Sequence, residues 1–144
     1  MTYTPPTWPV SVKAVALDAK RRVLLLKNER EEWELPGGRL EPGNTGAAPG
    51  DRTPEEAVER ELLEETGWEI TAGPLIDGGV WIYQPVPGRR VLIVTYGCTV
   101  HTPDRTPALS HEHKQIGLFA ADEVPGLTMP DGYKHSIAAW YRQR

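Results

Sequence analysis

Three glutamates fall on one face of a predicted helix near the middle of the chain. Steps of about 100° per residue place Glu61, Glu64 and Glu65 within one arc of about 100°. Carboxylates three and four residues apart repel each other by about 0.2 to 0.5 kcal/mol per pair in water, a local cost that a bound cation would reverse. Hard divalent ions such as Mg²⁺ prefer oxygen ligands and keep room for the phosphates of a substrate. The spacing therefore favours a metal site over the alternative of an ordinary solvated acidic face.

The predicted helix has clear start and stop signals. Thr53 is a suitable N-cap, Pro54 suits the first helical position, and Glu56 completes a capping box. Gly67 stands where a left-handed C-terminal cap belongs. The arc beside the glutamates is apolar, so we expect that face of the helix to pack on a core.

A glycine turn precedes this helix. Gly37 and Gly38 let the backbone turn tightly and present a carbonyl oxygen or amide groups to a ligand. Just before the turn, Trp33 is a candidate to stack on the base of a substrate, although an aromatic residue in a half-buried strand more often packs in the core. Gly38 and Arg39 are the other candidates for substrate binding.

Residues 60–68 resemble the second half of the Nudix box, and residues 35–38 resemble its entry. The family pattern for this half is R-E-U-x-E-E-x-G-U, where U is apolar. The segment itself reads Arg60-Glu61-Leu62-Leu63-Glu64-Glu65-Thr66-Gly67-Trp68. In the first half, the pattern requires a glutamate, but counting forward from Gly38 finds Asn44 there and counting back from Arg60 finds Arg52. The chain therefore resembles a Nudix box with an insertion at residues 44–52.

The resemblance implies how these residues would act. Nudix enzymes hydrolyse a diphosphate linkage in a nucleoside diphosphate derivative by attack of water on phosphorus, with the help of divalent ions. Mg²⁺ or Mn²⁺ is the implied cofactor, and a nucleoside triphosphate, ADP-ribose or a nucleotide sugar is the implied small-molecule nucleotide substrate. The implied metal ligands are the Gly37 carbonyl group, Glu61, Glu64 and Glu65. The implied catalytic residues are Glu61 as proton acceptor, Arg60 as the group that orients the carboxylates, and Glu112 as an extra carboxylate from a later loop.

Two questions about the box stay open on the sequence. Either Glu41 or Asp51 could replace the missing glutamate, whose implied role is to brace Arg60. A noncatalytic nucleotide-binding module that kept the fold is the alternative to an enzyme, although the helix carboxylates and Arg60 are all present. The isopentenyl diphosphate isomerases share the Nudix fold, but the pattern that they resemble has a catalytic cysteine ahead of the box. In this chain the single cysteine, Cys98, follows the box, so an isomerase is disfavoured. Cys98 lies in an apolar run, which predicts a buried side chain.

Length and composition predict one soluble globular domain over residues 1–144. The chain has 39% hydrophobic residues, 25% charged residues and a net charge of −4. This charge argues against binding to a nucleic-acid polymer, although a few local Lys or Arg residues could still hold a small phosphate substrate. No apolar run is long enough to cross a bilayer, and the N-terminal residues lack the pattern of a secretion signal. We therefore expect a cytoplasmic protein with no membrane partner, and we leave a homodimer open.

The rest of the chain predicts the elements that must position the site. The predicted strands share apolar runs or alternation and lie at residues 10–17, 23–26, 69–71, 75–76, 80–83, 91–100 and 115–119. The first two strands are predicted to form one hairpin, and residues 80–83 and 91–100 a second. A C-terminal amphipathic helix is predicted by the helical spacing of Tyr133, Ile137, Trp140 and Tyr141. This order resembles the Nudix α/β/α sandwich, in which a mixed β-sheet lies between helices.

Overall fold

Four short strands precede the acidic helix, and two long strands, a short strand and a C-terminal helix follow it. The computed structural model describes residues 2–41, 51–108 and 115–143. Within these ranges the strands are β1 (Val10–Val15), β2 (Val23–Lys27), β3 (Trp33–Glu34), β4 (Gly37–Arg39), β5 (Ile70–Val86), β6 (Arg89–Val100) and β7 (Gln115–Phe119). The helices are α1 (Pro54–Thr66), α2 (Asp131–Gln143) and a short 3₁₀ helix at Val124–Gly126. Neither α1 nor α2 is long and apolar enough to cross a membrane.

The strands form two sheets. The larger has the order β4-β1-β6-β5, and its central pair β1 and β6 runs parallel while the other pairs run antiparallel. The smaller is antiparallel and has the order β3-β2-β7. The expected mixed sheet is therefore confirmed. The smaller sheet is an addition that the apolar pattern did not predict.

The two helices cover opposite faces of the larger sheet. Successive residues of a strand point to opposite faces, so β1 contributes to two separate apolar clusters. Val12 packs in a cluster with Val58 of α1, whereas Val15 packs in a cluster with Ile137 of α2. The expected α/β/α sandwich is confirmed, and the acidic helix α1 lies on one outer layer.

Helix α1 begins and ends where its capping residues predict. The hydroxyl group of Thr53 accepts a hydrogen bond from the backbone N–H of Glu56 at 3.0 Å. At the other end, Gly67 has φ 76°, and its N–H donates to the carbonyl oxygen of Leu63. A left-handed C-cap favours glycine because other residues carry a Cβ that crowds the backbone. The caps fix the ends of α1, and the burial of Val58 and Leu62 in the core directs the acidic face away from that core.

The prediction that β1 and β2 form a hairpin is wrong except for the turn between them. Strands β1 and β2 belong to different sheets, and an isolated bridge between Leu17 and Val23 joins their ends. Asp18 closes the turn, since its Oδ1 accepts from the backbone N–H of Lys20 at 3.0 Å and of Arg22 at 2.8 Å. Alternation predicted the strand correctly but does not choose its partners. β1 pairs instead with β4 and β6, which follow later in the chain.

The second predicted hairpin forms with a longer first strand. β5 runs without a break from Ile70 to Val86, where the sequence indicated short separate strands, and shifts of register interrupt its pairing with β6. Gly88 has φ 81° in the connecting turn. The predicted C-terminal helix is confirmed, with Tyr133 and Ile137 buried. Cys98 is buried in β6, as expected.

Candidate functional site

The glycine turn forms strand β4, which brings the backbone of Gly37 against helix α1. Gly37 pairs with Lys13 of β1, and its φ is 143°. A Cβ at this position would collide with the carbonyl oxygen of Val12, so glycine is required. The backbone N–H of Gly37 donates to Oε1 of Glu65 at 2.8 Å. This hydrogen bond joins the turn to the acidic face of the helix.

Gly38 leaves space for the carboxylate of Glu61. A Cβ at Gly38 would lie 2.6 Å from Cδ and Oε2 of Glu61 and 2.8 Å from Oε1. The Glu61 side chain is only 15% exposed. Burial raises the pKa of this carboxyl group, and the positive charge of Arg60 opposes the rise only in part. A carboxylate with a raised pKa is better suited to accept a proton than an ordinary surface glutamate.

Arg60 connects three carboxylates. Its Nη1 donates to Oε1 of Glu61 at 3.1 Å and to Oε2 of Glu64 at 3.3 Å. Its Nε and Nη2 donate to the two carboxylate oxygens of Asp51 at 3.1 and 3.0 Å. The hydrogen bonds to Asp51, and then the charges of the glutamates, raise the pKa of Arg60. Arg60 therefore stays cationic and keeps Glu61 and Glu64 side by side.

Asp51, and not Glu41, is the carboxylate that contacts Arg60. Its side chain is 8% exposed, and Oδ2 also accepts from the backbone N–H of Glu41 at 2.9 Å. Burial alone would raise the pKa of Asp51, but the hydrogen bonds from Arg60 outweigh it and hold the pKa below its ordinary value. Glu41 takes part through its backbone. Residues 44–50 of the predicted insertion lie outside the described residues, while Asp51 and Arg52 lie inside them.

The acidic face of α1 matches the chemistry of a hard divalent ion but is not yet arranged around one. Glu61, Glu64 and Glu65 offer only oxygen donors, the kind that Mg²⁺ prefers. In the described ranges, no three His, Cys, Asp or Glu side chains stand close enough together to hold a metal ion as they are placed. Arg60 draws two of the glutamates toward itself, and Gly37 binds the third. Because the Glu64 side chain is 60% exposed, it is free to turn away from Arg60 and complete a set of ligands.

A cavity of about 220 Å³ lies beside the glycine turn, on the face of the larger sheet that α2 covers. Its polar and aromatic lining residues are Ser11, Lys13, Arg30, Glu34, Arg39, Tyr83, Arg89 and Tyr133. Lys13 is 6% exposed and lies between the cavity and the acidic face. Its side chain lines the cavity, and its backbone is paired with Gly37, whose N–H group binds Glu65. Burial lowers the pKa of Lys13, but the interactions with Tyr133, then Glu34 and Glu65, outweigh it and raise the pKa.

Most of this cavity was missed in the sequence, where Arg39 was its only predicted member. No sequence pattern indicated a ligand-binding role for Arg30, Glu34 or Arg89. One signal was available. Lys13 interrupts the apolar strand residues of β1, and a lysine buried in a strand requires a negative partner or ligand.

Trp33, the other described candidate for substrate binding outside the glycine turn, does not line this cavity. Trp33 packs edge-on against Phe119, with 4.8 Å between ring centroids, and the ammonium group of Lys27 lies 5.5 Å from its ring centroid. The stacking of a substrate base on Trp33 stays a prediction. Glu112 lies outside the described residues, so its proposed role as an extra carboxylate also stays a prediction.

Comparisons with known proteins agree on one family. The model of the NUDIX domain matches residues 7–141. A MutT-like protein of Streptomyces ambofaciens is 38% identical over 123 residues, which are 84% of this chain and 70% of the relative. A putative 8-oxo-dGTP diphosphatase of Bacillus subtilis (strain 168) is 40% identical over 71 residues, which are 49% of this chain but only 40% of that relative.

The fold is also similar to that of solved structures. The crystal structure of the MutT protein from Methanosarcina mazei Go1 matches with a TM-score of 0.76 and 22% identity, over 98% of each chain. This likeness concerns the fold, and the sequence matches carry the family assignment. The resemblance read from the box is confirmed, and the chain belongs to the NUDIX family of hydrolases.

Proposed function

We propose that this protein is a divalent-metal-dependent pyrophosphohydrolase that cleaves a diphosphate linkage in a nucleoside diphosphate derivative. The observation that carries the proposal is the contact between the glycine turn and the acidic face of α1. Gly37 donates to Glu65 at 2.8 Å, and the missing side chain of Gly38 leaves space for Glu61. A backbone carbonyl group and carboxylates gathered in this way are a suitable donor set for Mg²⁺ or Mn²⁺.

Each residue of the site has a distinct proposed role. The metal ligands are the carbonyl group of Gly37, Glu61, Glu64 and Glu65. When bound, the divalent ion would neutralise phosphate oxygens and make a water molecule more acidic for attack on phosphorus. Glu61 would accept the proton of that water, because its carboxylate lies against the glycine turn. Arg60 would orient Glu61 and Glu64, and Asp51 would in turn orient Arg60.

The substrate is proposed as a small nucleotide compound. The names of the two sequence relatives, a MutT-like protein and a putative 8-oxo-dGTP diphosphatase, support a nucleotide. A nucleoside triphosphate, ADP-ribose and a nucleotide sugar share the linkage that the proposed site would cleave. Arg39 would contact the substrate, because it lines the cavity beside the glycine turn.

A panel of nucleotides tests this proposal against the noncatalytic alternative. The purified protein is incubated with nucleoside triphosphates, ADP-ribose and nucleotide sugars in Mg²⁺ or Mn²⁺, and the products are identified. We expect cleavage of one class at the diphosphate linkage, loss of turnover in excess chelator, and recovery when the ion is restored. Tight nucleotide binding without cleavage in either ion would support the noncatalytic module. Full turnover in excess chelator would contradict the metal site.

A further inference from the structure

The cavity beside the glycine turn is cationic in a protein whose net charge is −4. Its charged lining residues are one glutamate, Glu34, and four basic residues, Lys13, Arg30, Arg39 and Arg89. We infer that this cavity binds an anionic group of the substrate, a phosphate or a carboxylate, that is separate from the diphosphate linkage to be cleaved. The inference rests on the proposed function, because it takes the reacting linkage to lie at Glu61 and Glu65.

Two of the four cations are available to a ligand without breaking an ion pair. Arg30 is engaged, because its Nε donates to Glu32 at 3.3 Å and its Nη2 donates to the hydroxyl group of Tyr83 at 3.1 Å. By contrast, the guanidinium groups of Arg39 and Arg89 make no hydrogen bond or ion pair with any residue in the described part of the chain. Both residues are exposed and line the cavity, so their guanidinium groups are accessible to an anion that enters from solvent.

The cavity extends well beyond the proposed reaction centre. Lys13, opposite Gly37 and Thr95 in the strand register, marks the end beside the glycine turn. From Ile93 the lining continues along β6 through Val91 to Arg89, the first residue of that strand. At about 3.3 Å per residue, the backbone of Arg89 lies roughly 20 Å along the strand from the level of Lys13, a separation that its long side chain shortens but does not span. An anion held by Arg89 would thus belong to a part of the substrate remote from Gly37.

An uncharged occupant fits the cavity less well. A base or sugar could rest on the apolar and aromatic lining formed by Val91, Ile93 and Tyr83. Such a group would offer no anionic partner to Arg39 and Arg89, two exposed residues of the same lining. Guanidinium groups bind carboxylate and phosphate with paired hydrogen bonds. A substrate that carries a second anionic group satisfies both the apolar lining and the unpaired cations.

Matched substrate pairs test this inference. NADPH and NADH differ by one phosphate, and UDP-glucuronate and UDP-glucose differ by one carboxylate, while both pairs contain a diphosphate linkage. NADPH and UDP-glucuronate are the members with the additional anionic group. We expect kcat/KM for this member of at least one pair to exceed that of its partner by about tenfold or more, as for a hydrogen bond between charged groups. A preference confined to the first pair identifies phosphate, and one confined to the second identifies carboxylate.

Two neighbouring variants locate the effect. Arg89→Gln should abolish the preference, while Arg90→Gln should retain it, because the guanidinium of Arg90 lies 5.2 Å over the ring of Trp8 and does not line the cavity. Equal kcat/KM within both pairs would overturn the inference. So would an equal loss for both members of a pair in Arg89→Gln, since the cations would then hold only the diphosphate.

Equilibrium binding separates a failure of this inference from a failure of the proposed function. If neither pair is cleaved, the same four compounds are titrated against the wild-type protein and Arg89→Gln in Mg²⁺. Tighter binding of the anionic member that is lost in Arg89→Gln would support the cavity assignment even though hydrolysis had failed. Equal affinities of the two members would overturn it.

Discussion

Asp51 holds Arg60 through two hydrogen bonds, which join Nε to Oδ1 at 3.1 Å and Nη2 to Oδ2 at 3.0 Å. Paired bonds between a guanidinium and a carboxylate are charge-assisted and directional. Asp51 stands one position before Arg52, where counting back through the family pattern leads to the missing glutamate. A shorter acidic residue, one position earlier, thus supplies a carboxylate to Arg60.

Asp51→Asn tests whether this carboxylate serves the site. Asparagine removes the charge and one of the two acceptor oxygens, so Arg60 would hold Glu61 and Glu64 less firmly. We expect the affinity for Mn²⁺ or the value of kcat/KM to fall by about 10- to 100-fold. Both are measured by titrating Mn²⁺ in the hydrolysis assay. Glu41→Gln is the matched control, because Glu41 contacts Asp51 through its backbone. Equal losses in the two variants would contradict the role of Asp51.

Glu64→Gln and Glu65→Gln test the metal ligands. Each should lower the rate by roughly 10²- to 10³-fold, because glutamine removes the charge that a hard cation needs. Both should fold, since the hydrogen bond of exposed Glu64 to Arg60 contributes little to stability. In Glu65→Gln, the amide oxygen can still accept the hydrogen bond from the backbone N–H of Gly37.

The control for these variants lies on the same helix. Glu56→Gln removes an exposed carboxylate near the helix start, where it pairs with Arg52, and should leave the rate unchanged. Initial rates at saturating Mg²⁺ and thermal unfolding provide the two measurements. Near-full rates in both ligand variants would show that this acidic face is not the catalytic metal site.

The two glycines of the turn should respond differently to alanine. In Gly38→Ala, the new methyl group would displace the Glu61 carboxylate, the far end of a flexible side chain, so activity should fall at least about tenfold with little loss of stability. In Gly37→Ala, the methyl group would meet the Val12 backbone at a φ of 143°, so folding itself should suffer. Kinetics and urea unfolding of both variants distinguish the two effects. Full activity in Gly38→Ala would contradict the placement of Glu61.

Asp18→Asn should destabilise the protein by about 1 kcal/mol at neutral pH. Burial alone would raise the pKa of Asp18, but hydrogen bonds from Arg22 outweigh it and hold the pKa below its ordinary value. A lowered pKa means that the carboxylate stabilises the fold above the unfolded-state pKa of about 4, and that this contribution disappears as pH falls through the folded-state pKa.

Urea unfolding of wild type and Asp18→Asn at several pH values measures this contribution. The difference in free energy of unfolding should be complete at neutral pH and should shrink as the pH falls below the unfolded-state pKa of about 4 and through the lowered folded-state pKa. A difference of the same size at every pH would assign the effect to the shape of the turn and not to the charge of Asp18.

The sequence by itself determined the elements whose signals are local. Thr53 and Gly67 set the ends of α1 because capping depends on neighbouring backbone groups. Helical spacing then placed Glu61, Glu64 and Glu65 on one face, and the match over residues 60–68 identified the family that the comparisons confirm. The C-terminal helix followed from the same periodicity.

The tertiary structure decided every contact between residues far apart in the chain. Alternation marks β1 as a strand but carries no information about its partners, so the separation of β1 and β2 into two sheets could not be read from it. Asp51 and Glu41 were equal candidates until the position of Arg60 selected Asp51. Lys13 and Arg89 line the same cavity because β1 lies beside β6 in the larger sheet. Such pairing depends on the packing of whole strands and helices, which no local sequence pattern encodes.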